Sequence, residues 1–288
     1  MHFRKRDILG LTAAMAIGSV SGAARAQSRS AVKLGFSPWA DAEFVTKLAA
    51  KLIEDKLNTP VELIQVDVAP MYQGLARGDV DAILMCWLPE THADYWARIE
   101  DRVERLGTLY SGAKLGWVVP GYVPEAKVAS IADLAKPEVR SKLGGRIQGI
   151  DPGAGLTRLS RAAVETYGLD YTLQESSEAA MLSMVDRAVR RENWVVATAW
   201  SPHWMFGKYD LRYLRDPKQA LGGEEQVYAI GRKGLSEEHP KVAALLSRLN
   251  LPLDDLQKAM LIAQEKSYDA AVAEYISGHA AQVNGWLA

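Results

Sequence analysis

The sequence has a single cysteine, Cys86, among 288 residues. One thiol cannot close an internal disulfide, so no covalent staple is expected to hold the fold. Cys86 lies in an apolar run, Ile83–Trp87, where a lone thiol is expected to be buried. Phenylalanine is also scarce: four, against eight tryptophans and eleven tyrosines. That balance favours rings with a polar handle, which suit surfaces that are apolar yet wet. Catalytic signatures are missing. No G-x-S-x-G, H-E-x-x-H, C-x-x-C, Walker A or G-x-G-x-x-G pattern occurs. The five histidines, His2, His92, His203, His239 and His279, show no metal-ligand spacing, so no metal and no cofactor are expected. Missing motifs lower the expectation of an enzyme without removing it, because catalytic groups often come from distant positions.

A basic excess is lacking too. The first residues carry Arg4, Lys5 and Arg6, then an apolar stretch from Ile8, then Ala24-Arg25-Ala26 before Gln27. This reads as a secretory signal over residues 1–26 with an A-x-A cleavage site. The apolar part is too short and too rich in Ala, Gly and Ser for a membrane span. Sec export and a twin-arginine route both fit. Removing residues 1–26 takes away Arg4, Lys5, Arg6, Arg25 and Asp7, leaving a net charge of −4. That argues against nucleic acid or an anionic membrane surface as partner. A monomeric exported protein, most simply periplasmic, is expected.

What the chain does have is alternation. Short apolar runs at Val32–Phe36, Val61–Val66, Val80–Met85, Leu115–Val119, Arg146–Ile150, Trp194–Trp200 and Val227–Ile230 read as strands. Helical patterns lie between them. Val45, Leu48, Ala49, Leu52 and Ile53 form one stripe at helical spacing, with Asp41 where an N-cap would stand. Two more helical patterns are Ile131–Leu143 and Leu156–Leu169, the second closing at Gly168, and residues from Ser236 onward read as helical. The expected class is α/β, mainly parallel sheets flanked by helices. Gly- and Pro-marked crossings near residues 110–124 and 206–217 suggest a middle lobe inserted into a first. The expected division is 27–113 with 214–288 as lobe I, and 114–213 as lobe II. In such sheets ligands bind beyond the carboxyl ends of strands, here in a cleft between lobes.

Three tryptophans fall at that edge: Trp39 after the first strand, Trp87 at the end of the third, Trp200 at the end of a later one. Core packing gives no reason for that preference. A ligand site does. Tyr110 and Trp117 flank the first crossing and offer a fourth wall. An aromatic box suits a quaternary ammonium, which cannot donate hydrogen bonds and is attracted to ring faces. Three desolvated faces at about 2 kcal/mol each give about 6 kcal/mol, short of the roughly 8 kcal/mol of a micromolar ligand. Polar contacts must add to it. Asp41 or His203 would serve, and so would backbone N–H groups. The loop Gly149–Arg158, "GIDPGAGLTR", either presents amide N–H groups at a helix start to an anion or is a tight turn that needs glycine.

At these residues the sequence resembles the glycine betaine/choline-binding proteins of ABC uptake systems. The matching segments are "VELIQVDVAPMYQGLARGDVDAILMCWLPETHADYW", "SGAKLGWVVPGYV", "GIDPGAGLTRLSRAAVETYGL", "ESSEAAMLSMV" and "WSPHWMFGKYDLRYLRDP", which span most of Val32–Pro217. The resemblance implies a two-lobed periplasmic-binding-protein fold, type II-like, that closes around a trimethylammonium compound. It implies delivery to a membrane permease driven by an ATPase. It assigns Trp39, Trp87 and Trp200 to the cage and Asp41 and His203 to its polar partners, with Tyr110 and Trp117 both near the fourth wall. Trp96, Trp194 and Trp286 are expected to pack the fold. Trp204 faces either cleft or lobe. His92 reads as surface and Tyr72 as core. Two other functions stay open: an amino-acid-binding protein of the same fold, with Arg158 on the carboxylate, and a secreted enzyme acting on a methylammonium compound.

Overall fold

A computed structural model of the protein describes residues 31–288. The expected signal segment, residues 1–26, lies outside the described residues. The strands are β1 (Val32–Phe36), β2 (Val61–Gln65), β3 (Ala82–Leu88), β4 (Val103–Pro120), β5 (Arg146–Gln148), β6 (Thr172–Gln174), β7 (Ala197–Ser201), β8 (Leu211–Tyr213) and β9 (Glu224–Arg232). The helices are α1 (Ala40–Leu57), α2 (Val68–Arg77), α3 (Ala93–Trp96), α4 (Pro137–Leu143), α5 (Gly155–Thr166), α6 (Glu178–Arg190), α7 (Met205–Lys208), α8 (Leu235–Glu238), α9 (Pro240–Arg248), α10 (Leu253–Glu265), α11 (Tyr268–Gly278) and α12 (Ala280–Leu287).

All strands join one sheet, in the order β2-β1-β3-β9-β4-β7-β5-β6, with β8 also on β4. Each end is parallel, as βαβ units require: β2-β1-β3 on one side, β7-β5-β6 on the other. The middle is antiparallel, through β3-β9, β9-β4 and β4-β7. The 18-residue β4 runs from one end to the other. Two hydrophobic cores flank it. One gathers Leu34, Phe44, Leu48, Leu52 and Ile83 among many others. The other gathers Trp117, Val119, Ile131, Leu134, Ile147 and Ala163. The fold has two lobes joined by shared strands.

Local chemistry explains the elements. The helical stripe of α1 is fully buried from Val45 to Ile53, and each such apolar side chain contributes about 1.5–3 kcal/mol. The pattern over 131–143 breaks in two: a 3₁₀ stretch, Ile131–Ala135, then α4 opening on Pro137. Proline lacks the N–H and crowds the preceding turn, so it can start a helix but not continue one. Gly168 takes φ +60 after α5, as a helix stop requires. β6 and β8 have three residues each, too short for alternation to announce them. β4 begins 12 residues before the expected run because its first half pairs with β9 through register shifts that break the alternation. Cys86 is buried, and burial pushes its thiol up to about 12. Trp286 stacks on Tyr275 and docks α12, while Trp96 lies under the Arg105 guanidinium.

Candidate functional site

One pocket lies where the two halves of the sheet meet, with an empty volume of about 310 Å³. Trp39, Trp87 and Trp200 line it, together with Asp41, Leu115 and Ile150. Thr91, His92 and the start of α5 (Ala154, Gly155, Leu156) line it as well. The three tryptophans are nearly buried, at 7%, 4% and 4% exposure.

Two of the three indoles are held by a partner across the cleft, and the third by a neighbour in its own half. Trp39 is the N-cap of α1, with extended backbone (φ −116, ψ 140) that turns its ring away from the helix. Its Nε1–H donates to Asp151 Oδ2 at 2.9 Å, in the loop before α5. Trp200 ends β7, opposite Leu115 of β4. Its Nε1–H donates to Asp41 Oδ1 at 3.0 Å, in the first turn of α1. Carboxylates and tryptophans are thus exchanged between the two halves. Trp87, near the end of β3, meets the edge of Tyr110 at a centroid distance of 6.1 Å and an angle of 84°. The Tyr110 hydroxyl donates to Asp41 Oδ2 at 2.7 Å. Asp41 therefore accepts from both neighbours, which accounts for a carboxylate at 2% exposure. Burial pushes its carboxyl up, and the Tyr110 and Trp200 bonds pull it partly back.

His92 is the feature that pattern reading missed. It is 1% exposed rather than on the surface. Its own N–H donates to the Trp87 carbonyl at 3.0 Å. The Trp87 N–H donates in turn to His92 Nδ1 at 3.1 Å, and the Tyr72 hydroxyl reaches the same nitrogen at 3.1 Å. With Nδ1 accepting, the ring proton sits on Nε2. That nitrogen is buried and has no partner among the described residues. Burial draws the His92 pKa down to about 3, so the ring is neutral at physiological pH. The spacing Trp87-x₄-His92 is a signal visible only once the turn between them is known. Glu225 fixes that turn by accepting from the Glu90 and Thr91 N–H groups at 3.1 and 3.0 Å and from the Thr91 hydroxyl.

The glycine loop forms the facing wall. Thr157 Oγ1 donates to the carbonyl of Asp151 at 2.8 Å and folds the loop onto α5. The first N–H groups of α5 have no partner within the helix, and Gly155 and Leu156 there line the pocket. A Cβ on Gly155 would overlap the Thr91 carbonyl, so glycine here serves close approach. A clasp closes the rim: Tyr95 Oη donates to Gly153 O at 2.8 Å, Arg158 donates to Glu90 O at 2.8 Å, and Arg158 pairs with Asp94 at 3.2 Å.

The other expected residues fall behind or away from this wall. Asp41 is not the N-cap of α1, which is Trp39; its carboxylate is drawn to Tyr110 and Trp200 instead. Tyr110 sits behind Trp87. His203 sits behind Trp200, edge-on at 4.5 Å, and does not line the pocket. Trp117 is not a wall. It is fully buried in the second core with Nε1 on Ser160 Oγ at 2.9 Å. Leu115, two residues earlier on the same strand face, takes the place between Trp200 and α5. Arg158 is spent on the rim clasp, not on the pocket. Among the described residues no cluster suits a metal ion and no helix is long and apolar enough to cross a membrane.

The family model for the substrate-binding domain of an ABC-type glycine betaine transport system matches residues 30–278. The chain belongs to this family. Relatives and solved structures agree. The chain is 38% identical over 130 residues to the glycine betaine/carnitine transport binding protein GbuC of Listeria monocytogenes, a match over 44% of this chain and 43% of that protein's length. It is 24% identical to the glycine betaine-binding periplasmic protein OusX of Dickeya dadantii, across 85% of each. Lactococcal OpuAC, in a closed conformation with glycine betaine, matches at TM-score 0.81 and 34% identity, over 89% of this chain and 99% of that one. A choline-binding protein of an ABC transporter, in complex with choline, matches at TM-score 0.80 and 26% identity, over 89% and 91%. The sequence resemblance and the two-lobed binding-protein fold are borne out by these matches.

Proposed function

We propose that the pocket captures glycine betaine, with its trimethylammonium among Trp39, Trp87 and Trp200 and its carboxylate on His92 Nε2–H and the Gly155 and Leu156 amides. The observation that carries this reading is His92, whose buried Nε2 has no hydrogen-bond partner among the described residues and whose side chain belongs to the same lining as three indoles. A cation needs ring faces; a carboxylate needs donors. The residues that line the pocket include both kinds. Asp41 gives the cationic end a net attraction.

A choline reading draws on the same Asp41, since a carboxylate in the wall favours a net cation. Both its oxygens are already engaged by Tyr110 and Trp200, and the His92 donor would then face a hydroxyl rather than an anion. Calorimetric titration separates the two. Glycine betaine should bind tighter than choline, and His92→Gln should weaken betaine by about ten- to a hundredfold, as for a lost bond to a charged group, while leaving choline nearly unchanged. Equal losses for both ligands would contradict the carboxylate assignment.

The family match supports a wider role. The protein is a periplasmic, monomeric receptor that shuttles its ligand to a permease and its ATPase, with lobe closure around residues 114–213 as the signal that docks it. In this reading the protein is a receptor and not an enzyme, and recovery of unchanged ligand after incubation with the protein tests it.

A further inference from the structure

Glu178 opens α6, just after the N-cap Ser177. It is 6% exposed, and among the described residues it pairs with no lysine or arginine. Its two oxygens serve two different halves of the molecule. Oε2 accepts the Ala40 N–H at 3.1 Å, the amide next to Trp39 at the start of α1. Oε1 accepts from His203 Nε2 at 3.1 Å. His203 Nδ1 accepts the Met205 N–H at 3.0 Å, so the ring proton is on Nε2 and points at Glu178. The His203 ring in turn packs edge-on against Trp200 at 4.5 Å. One carboxylate therefore touches the backbone beside one cage wall and, through one imidazole, the back of another.

We propose that Glu178 is the positioning residue that couples closure of the two lobes to assembly of the cage. The inference rests on the reading that this pocket closes on a betaine. When α6 swings toward α1, Glu178 caps the free N–H of Ala40 and fixes the turn that carries Trp39. The same movement locks His203 against Trp200. With the lobes apart, the Ala40 amide and the carboxylate lose each other and Trp39 loses its set position. The arrangement needs two acceptors on one side chain. In Glu178→Gln the side chain keeps its shape, but its amide must face either Ala40 N–H or His203 Nε2–H, donor against donor.

A second variant removes the contact from the other side. Ala40 is the first residue of α1, where proline is tolerated, and Trp39 before it already has the extended backbone that proline demands. Ala40→Pro deletes the N–H and leaves Glu178 and His203 in place. Stopped-flow tryptophan fluorescence with glycine betaine on the wild type, Glu178→Gln and Ala40→Pro tests the proposal. Wild-type binding checks the ligand reading itself, and its failure would sink both. Given wild-type binding, each variant should dissociate ligand about tenfold faster or more, with a smaller change in association rate. Cooperative unfolding of the unliganded proteins should persist. A wild-type dissociation rate in either variant overturns the coupling; if Glu178→Gln does not fold, Ala40→Pro decides alone.

Discussion

At the residue scale the site divides labour between faces and donors. Each cage ring should matter to the cation directly, beyond the stability that any nearly buried ring supplies. Trp39→Ala, Trp87→Ala and Trp200→Ala are each expected to weaken glycine betaine by roughly thirtyfold, the equivalent of about 2 kcal/mol per desolvated face. Trp117→Ala should do the reverse, lowering stability by about 3–5 kcal/mol for a lost buried tryptophan and sparing affinity in whatever fraction stays folded. Titration calorimetry and thermal melts read the two classes apart. His92 adds a pH signature. The folded protein takes up this proton only near pH 3, whereas the unfolded chain takes it near 6.5. Between those values protons favour the unfolded chain, so stability falls as pH drops. Asp41 and Glu178, raised by burial, act in the opposite sense, losing stability as pH rises above the ordinary carboxylate range. His92→Gln should therefore flatten the loss of melting temperature between pH 6.5 and 4, and an unchanged slope would rule out His92 as its source.

At the element scale, strand ends and helix starts make the pocket. Trp87 and Trp200 end β3 and β7, Trp39 precedes α1, and α5 brings its free amides to the same place. That convergence was legible in the sequence because strand-end position can be read from apolar runs bounded by Gly and Pro. The stripe of α1 and the stop at Gly168 were legible for the same periodic reason. His92 was not: nothing local distinguishes a buried histidine with one idle nitrogen from a surface one. Trp117 misled because strand alternation places it on the correct face, and only the packing of Ser160 over it shows that it lies two residues too far along. Asp41 looked like a helix cap because composition at a helix start is blind to a tyrosine and a tryptophan arriving from β4 and β7. The close approach of α5 yields a test. Gly155→Ala should leave helical content unchanged, since alanine suits a helix. Its Cβ would strike the Thr91 carbonyl, so betaine binding should fall steeply, by circular dichroism and calorimetry run together. Normal binding would mean that the two walls do not need to meet.

At the scale of the whole molecule, the two halves are bonded across the cleft by two indoles on two carboxylates, the Glu178 cap and the rim bonds of Tyr95 to Gly153 and Arg158 to Glu90. None is large alone. Ligand enclosed between the lobes adds its own free energy to the closed form, so saturating glycine betaine should raise the melting temperature by mass action, about 2.7 kcal/mol at a hundredfold excess over Kd. In the proposed function β4, which runs through both halves of the sheet, would serve as the hinge for this closure.

The most direct measurement compares glycine betaine with 3,3-dimethylbutanoate, the same shape and carboxylate with carbon in place of the cationic nitrogen. Both would be titrated calorimetrically into the wild-type protein. If three indole faces hold a cation, glycine betaine binds and the neutral-headed isostere is weaker by at least about a hundredfold. Comparable affinities for the two, or no heat from glycine betaine, would contradict the cage.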